Sequence, residues 1–320
     1  MDEAGEPSVM TRSESDPSSI IPQPSSVPVW DVAALRRKYG PFFWGSATLD
    51  RWVNQTGWPL TELIVGFAKG LAAGSRVLDA GAGPATVRDA FAHGVYEACD
   101  VGGYGAVEGM YNSDPASAFF ACDLTAIPRG DGTYDGVICS SVLEHVPDPR
   151  AVLAELARVL APTGVLCLST SGLYGLHMEP WHFYNTTPYS LLHLSAAAGL
   201  GVQWLAPRGG FFNMVGGTLP KVVDANLRAA KKKWLRPLLA PLTHVLIPAA
   251  CAAVDRFDRL KQFAVGWDLI ATRRGATAVE FDDTHLPARM RLPRYQPARL
   301  LERYPDFAKL VESAAAPGHA

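Results

Sequence analysis

The stretch Val77-Leu78-Asp79-Ala80-Gly81-Ala82-Gly83-Pro84-Ala85 runs from an apolar strand directly into D-x-G-x-G. Glycine at 81 and 83 tolerates positive φ and carries no Cβ to hold a ligand off the backbone. A helix starting after the glycines would aim its free N–H groups and positive dipole end at the same place. A glycine pair alone is a common turn. Its weight comes from two further apolar runs, Val95 to Cys99 ending in Asp100 and Ala118 to Cys122 ending in Asp123. Three strand-like segments in succession thus each deliver an acid to a C-terminal end, the ligand-binding edge of an open α/β sheet.

Working outward, strands are expected at Arg76 to Asp79, Val95 to Asp100, Ala118 to Cys122, Gly136 to Ser140 and Gly164 to Thr170, with helical patterns between most of them. The clearest helix is Arg150 to Leu160, where Val152, Leu153, Leu156, Val159 and Leu160 share a face and Pro162-Thr163-Gly164 makes the next turn. A helix at Tyr189 to Ala198 leads to a strand at Gly201 to Ala206, and the last strand is Gly266 to Thr272. Strands alternating with helices imply right-handed crossovers and a Rossmann-like, doubly wound, mostly parallel α/β sheet of seven strands. About sixty residues before the last strand are too many for an ordinary loop, so a helical cap is inserted at about 208–265.

The domain reading is a disordered tail at 1–29, a helical lead-in or lid at 30–73, a core domain at 74–274 and a C-terminal extension at 275–320 that wraps the surface with one short helix near Pro305 to Ser313. With 320 residues and 48% apolar content the chain can bury a full α/β core. A net charge of −2 offers no global attraction to nucleic acid. The cysteines are odd in number, and Cys99, Cys122, Cys139 and Cys167 sit in apolar runs without C-x-x-C pairing, so they read as reduced core residues. Met1 to Pro28 has no apolar core of a signal peptide, which points to the cytoplasm.

The ordered set of motifs resembles a class I S-adenosylmethionine-dependent methyltransferase, most closely the type 11 group. The residues that carry the resemblance, over about Gly74 to Arg274, are Asp79-x-Gly81-x-Gly83, Asp100, Asp123-Leu124, Tyr134-Asp135, Leu143-Glu144-His145 and the turn Leu160 to Gly164. Within it, His177-x-Glu179-x-x-His182-x-Tyr184 is similar to members found with polysaccharide and cell-envelope biosynthesis. The resemblance implies S-adenosylmethionine as cofactor. Gly81 and Gly83 would pass under its methionine portion and ribose, with Asp79 beneath the amino acid end. Asp100 would take both ribose hydroxyls, Asp123 the adenine amine, Leu124 the ring and Ser140 the methionine side. Pro84-Ala85, where the family often has another small residue, tightens the turn. Each acid could instead cap the turn after its strand. A nicotinamide-dependent oxidoreductase fits less well, because its third glycine would fall at Thr86 and Asp123 would have no role. A non-catalytic interaction protein on the same fold is the third reading.

Methyl transfer to a hydroxyl needs alignment, exclusion of water and a base. His145 after the fourth strand and His177 and His182 after the fifth are the candidate bases, the alternative being that they cap a turn or satisfy loop carbonyls. No metal is expected, since Pro180 interrupts the helix that would align an H-x-E-x-x-H set. Trp181, Phe183 and Tyr184 could stack on an acceptor, taken as a glycan, lipid-linked sugar or other small hydroxylated metabolite, or simply pack the cap.

In the insertion, Arg228, Lys231-Lys232-Lys233 and Arg236 flank Trp234, and Pro237 to Val254 carries no charge. Pro237, Pro241, Pro248 and His244 argue against a spanning helix. The favoured reading of 228–254 is a broken helical cap packed on the sheet with a solvated basic rim. The same pattern also suits peripheral contact with an anionic inner membrane face.

Overall fold

The computed structural model describes residues 57–102, 109–277 and 292–316. The tail, most of the lead-in and part of the C-terminal extension lie outside the described residues. The strands are β1 Arg76–Ala80, β2 Val95–Asp100, β3 Phe119–Ala121, β4 Tyr134–Ser140, β5 Leu160–Ser171, β6 Leu200–Arg208 and β7 Gly266–Arg273. They form one seven-stranded sheet in the order β3-β2-β1-β4-β5-β7-β6. All neighbours are parallel except β7, which runs antiparallel to both β5 and β6. The central strands are apolar on both faces because helices cover both. Leu78 and Val137 point into one core and Val77 and Ile138 into the other.

On the first face lie α2 (Pro149–Val159) and α3 (Pro188–Ala197). Asp148 caps α2 by accepting from the N–H groups of Arg150 and Ala151 at 3.0 Å, and Val152, Leu153, Leu156 and Val159 form its buried stripe. Thr187 and Ser190 form a capping box at the start of α3. The opposite face is covered by α1 (Gly57–Gly70), through Leu63, Ile64 and Phe67.

Three expectations change. No α-helix follows the glycine loop. Turns and a 3-10 helix of four residues, Arg88–Phe91, stand there instead, so the ligand edge at β1 relies on strand-end groups without a long helix dipole. The turn at Pro162-Thr163-Gly164 lies inside the long strand β5, as an irregularity between the pairs Tyr134↔Leu160 and Gly136↔Val165. The C-terminal segment carries two helices, α7 (Pro297–Arg303) and α8 (Pro305–Ala314), and belongs to the core. Tyr295, Leu300 and Val311 are buried in the first-face cluster, and the Tyr295 ring meets Trp267 of β7 at 5.0 Å. Its apolar positions are interleaved with charges too sparsely to announce that burial. The five cysteines are free, three of them buried.

Candidate functional site

The glycine loop is held by the end of β2. The N–H groups of Gly81 and Ala82 donate to the Cys99 carbonyl at 2.8 and 3.1 Å. Gly81 has φ +74°, and a Cβ there would lie 2.4 Å from Val142, in the turn after β4. Gly83 has φ +50° with nothing within 4 Å of where a Cβ would stand. Its N–H donates to Asp100 Oδ2 at 3.0 Å and its carbonyl accepts from the Tyr111 hydroxyl at 2.6 Å. One glycine is therefore closed in by protein and the other faces open space.

The three strand-end acids sit on neighbouring strands. Asp100 accepts from Gly83 and Gly102 N–H, one on each carboxylate oxygen. That fixes its plane, and the two oxygens of a carboxylate are the acceptors that suit a vicinal diol. Asp123 spends Oδ1 on the N–H and hydroxyl of Thr125, both at 2.8 Å. Both acids thus do the capping that the sequence alternative foresaw. Asp79 is buried and accepts from the Tyr96 hydroxyl at 2.6 Å. Burial pushes its carboxyl up to about 7, the Tyr96 hydrogen bond opposes that, and the Asp100 charge adds to it. Leu124 is buried in the first-face core. Ser140 ends β4 paired with Ser169, and Ser141 after it takes φ +56°. The donor set fits S-adenosylmethionine: open backbone at Gly83, with carboxylates in sequence for an ammonium, a diol and an amine.

The second part of the site is a histidine cluster. The His145 and His177 rings are 4.7 Å apart, His177 and His182 4.3 Å, and His145 and His182 5.8 Å. The segment that brings them together is laced to the strand ends. Phe183 N–H donates to the Glu144 carbonyl at 2.8 Å, the Tyr184 hydroxyl to Pro147 O at 2.8 Å, and Thr186 to Ser171 O through both N–H and hydroxyl. His145 Nδ1 lies 2.7 Å from Trp181 O and His177 Nδ1 3.0 Å from Gly175 O. A carbonyl cannot donate, so both Nδ1 atoms carry a proton, and in the neutral form of each ring the lone pair sits on Nε2. Both nitrogens of His182 are buried without a hydrogen-bond partner. Burial and the neighbouring His145 and His182 hold His177 below the usual imidazole range, against the Gly175 hydrogen bond.

Glu144 is the residue the sequence left without a role. It is buried at 2% exposure and accepts from Thr170 Oγ1 at 2.9 Å. Glu144, His145 and His177 each offer a ligand atom within 4.8 Å of the others, an arrangement that can hold a divalent ion. The sequence argument against a metal looked for a helix carrying Glu179. A loop does the gathering, and the acid comes from after β4. Tyr174 and Lys221 were also missed. Tyr174 meets His177 at 5.1 Å and receives Lys221, whose ammonium hydrogen-bonds the hydroxyl and lies 4.6 Å from the ring centre. Nothing in the local pattern links positions 47 apart.

This sheet order, with an antiparallel seventh strand and an acid-lined glycine cradle, defines the class I Rossmann-like methyltransferase architecture. Residues 59–218, half of the chain, match the methyltransferase domain profile, and the chain belongs to that family. A ubiquinone biosynthesis O-methyltransferase of Idiomarina loihiensis is 33% identical over 128 residues, covering 34% of this chain and 52% of that protein. One of Xanthomonas oryzae is 38% identical over 81 residues, covering 24% and 27%. A demethylmenaquinone methyltransferase of Renibacterium salmoninarum is 33% identical over 107 residues, covering 33% and 45%. The chain thus spans about a quarter to a half of the length of these relatives. Among solved structures, the cyclase SpnF superposes with a TM-score of 0.44 at 19% identity over 68% of this chain and 80% of that one. Haemonchus contortus phosphoethanolamine N-methyltransferase 2 gives 0.41 at 14% identity over 68% and 52%.

Proposed function

We propose that this chain is an S-adenosylmethionine-dependent O-methyltransferase acting on a hydroxyl of a glycan, a lipid-linked sugar or another small hydroxylated metabolite. The observation that carries the reading is the cradle: open backbone at Gly83 with Asp79, Asp100 and Asp123 at the ends of or just beyond β1, β2 and β3. The bound cofactor supplies a sulfonium methyl that is already electrophilic. The chain's own residues must hold it, align the acceptor, exclude water and take a proton. Ionised Asp79 would face the ammonium and Asp100 the ribose hydroxyls. The Nε2 lone pairs of His145 and His177, with His182 beside them, would accept the hydroxyl proton. Relatives named for ubiquinone biosynthesis make a hydroxylated quinone-like ring the first acceptor to try.

A second reading gives the same cluster a divalent ion, favoured by the 4.8 Å spread of Glu144, His145 and His177. The ion would bind the acceptor oxygen and lower its proton affinity, and activity would then disappear on chelation and return with metal. The primary test is thermal stability with S-adenosylmethionine, its demethylated product and NAD(P). A ligand at a hundred times its Kd stabilises by about 2.7 kcal/mol, a shift of several degrees. A shift with the first two alone supports the proposal. A shift with NAD(P) alone replaces it with the oxidoreductase, and no shift with any of them favours the interaction protein.

A further inference from the structure

The insertion leaves the sheet at Arg208 and returns at Gly266, which pair with each other, and Gly266 also pairs with Ser171 at the C-terminal end of β5. It therefore stands on the edge that carries the histidine cluster. It consists of α4 (Phe211–Ala229), a basic turn, and the helical run α5 (Arg236–Ala240), a π-helical turn Pro241–Leu246, and α6 (Ile247–Asp255). The two arms pack on each other: a Cβ at Gly216 would lie 2.8 Å from that of Cys251. Their base is stapled. Buried Asp255 accepts from Asn213 N and Nδ2 at 3.1 and 2.8 Å and from buried Lys261 Nζ at 2.5 Å. Near the far end, Asp224 pairs with Arg236 at 2.9 Å.

These polar staples hold the arms to one another, Lys221 ties α4 to Tyr174, and the apolar surface is left outside. The sequence favoured a cap packed on the sheet; in the run Lys233–Asp255, long and apolar enough by composition to cross a membrane, the most apolar stretch is only 6% buried. Trp234, Leu238, Leu242 and Leu246, each four residues on, form an outer stripe, with Trp234 and Leu238 three-quarters exposed. Phe257 and Leu260, just past the run, are exposed as well. From Ala225 to Val254 the sequence has no acid. Among the described residues Arg228, Lys231, Lys232 and Lys233 have no ion-pair partner, while Asp224 and Asp255, which bracket this stretch, are buried in pairs.

We infer that this hairpin docks in the interfacial layer of an anionic lipid bilayer, with the leucine stripe and Trp234 in the acyl boundary and the lysine turn among headgroups. An apolar stripe beside unpaired cations and an interfacial Trp is the pattern such surfaces bind. A second copy suits the patch poorly, because a self-complementary interface would set the same unpaired cations against each other with no acid to meet them. Three prolines, the π-helical turn and the Gly216 seat on α4 hold the run alongside the domain, which favours lying in the interface over crossing it. The docked arm reaches the site through Lys221 of α4, Tyr174 and His177. Delivery of a lipid-borne acceptor along that path rests on the proposed methyl transfer; the docking itself does not.

The test is co-sedimentation of the full chain with vesicles of phosphatidylcholine alone and of phosphatidylcholine with phosphatidylglycerol. Binding is expected to the anionic vesicles, to fall with salt, and to drop at least tenfold in a K231E/K232E/K233E variant. The exposed pair L238E/L246E should abolish it while the circular dichroism spectrum and the thermal shift with S-adenosylmethionine stay those of the wild type. That shift reports the cofactor reading independently, so either idea can fail alone. Absence of binding at low salt, binding unchanged in L238E/L246E, or a solution dimer that L238E/L246E dissociates would overturn the inference.

Discussion

The two halves of the sheet edge are built by opposite means. At β1 to β3 the proposed cofactor-binding groups are the strands' own ends, with Gly83 open and Asp79, Asp100 and Asp123 each within three residues of a paired strand position. At β4 to β7 the strand ends mostly hold other protein: Thr170 holds Glu144, Ser171 holds Thr186, and the proposed acceptor-side groups come from the turn after β4 with His145, the 172–187 segment and the 211–263 insertion. A cofactor common to a family can be gripped by the rigid scaffold. An acceptor particular to one chain is met by the parts that vary most easily.

If that division holds, damage in the second half should stop chemistry and spare cofactor binding. Replacing His145, His177 or His182 by Ala, one at a time, is expected to lower turnover by about 10²–10⁴-fold for whichever ring takes the proton. The thermal shift with S-adenosylmethionine should remain. Loss of that shift in any of the three would erase the boundary between the halves.

Within the first half, the two glycines separate folding from binding. At Gly81 an added methyl meets Val142 at 2.4 Å in a backbone conformation L-residues avoid, so Gly81→Ala should cost about 1–3 kcal/mol and lower Tm. At Gly83 there is room for a methyl, so Gly83→Ala should cost only about 1 kcal/mol, the φ strain, yet obstruct close approach of a ligand. Calorimetry should find its cofactor affinity reduced far more than its stability. The Asp100→Ala change is smaller: losing charge-assisted hydrogen bonds of about 1.5–3 kcal/mol means roughly a 10- to 100-fold weaker Kd. Unchanged affinity would leave Asp100 as the cap of Gly83 and Gly102 and nothing more.

The same division explains what could be read without coordinates. Strand ends with acids are local patterns, so β1, β2 and the cradle were legible to within a residue. The histidines were legible as candidates because three of them follow strands four and five. Their convergence was not, since it depends on bonds such as Phe183 N–H to Glu144 O, 39 residues apart. The missing helix after Gly83 was hidden for a different reason. Thr86-Val87-Arg88-Asp89-Ala90-Phe91 has composition that a helix or a 3-10 turn can use, and tertiary contacts of Phe91 with Phe67 and Tyr96 decide. The insertion was legible as apolar and basic, but which face it buried required knowing that its polar groups pair with each other.

Asp79 gives the finest test of the first half, because its effect is graded by pH. Burial holds its carboxyl at about 7 in the folded chain, against 3.8 for an exposed one. Between those values the folded state keeps a proton that the unfolded state has lost. Stability therefore falls as pH rises from about 4 to about 7, by up to about 1.4 kcal/mol per pH unit, and is insensitive to this group outside that window. Asp79→Asn should flatten that part of the stability curve. Cofactor binding should run the other way. If the ionised carboxylate faces the ammonium, affinity must weaken as pH drops below 7, approaching tenfold per unit, and the Asn variant should bind weakly with little change between pH 5.5 and 7. Calorimetric titrations at pH 6 and pH 7.5 measure both. A wild-type affinity independent of pH across that range would mean that Asp79 stays protonated against Tyr96 as part of the scaffold, and that the ammonium is held by some other group.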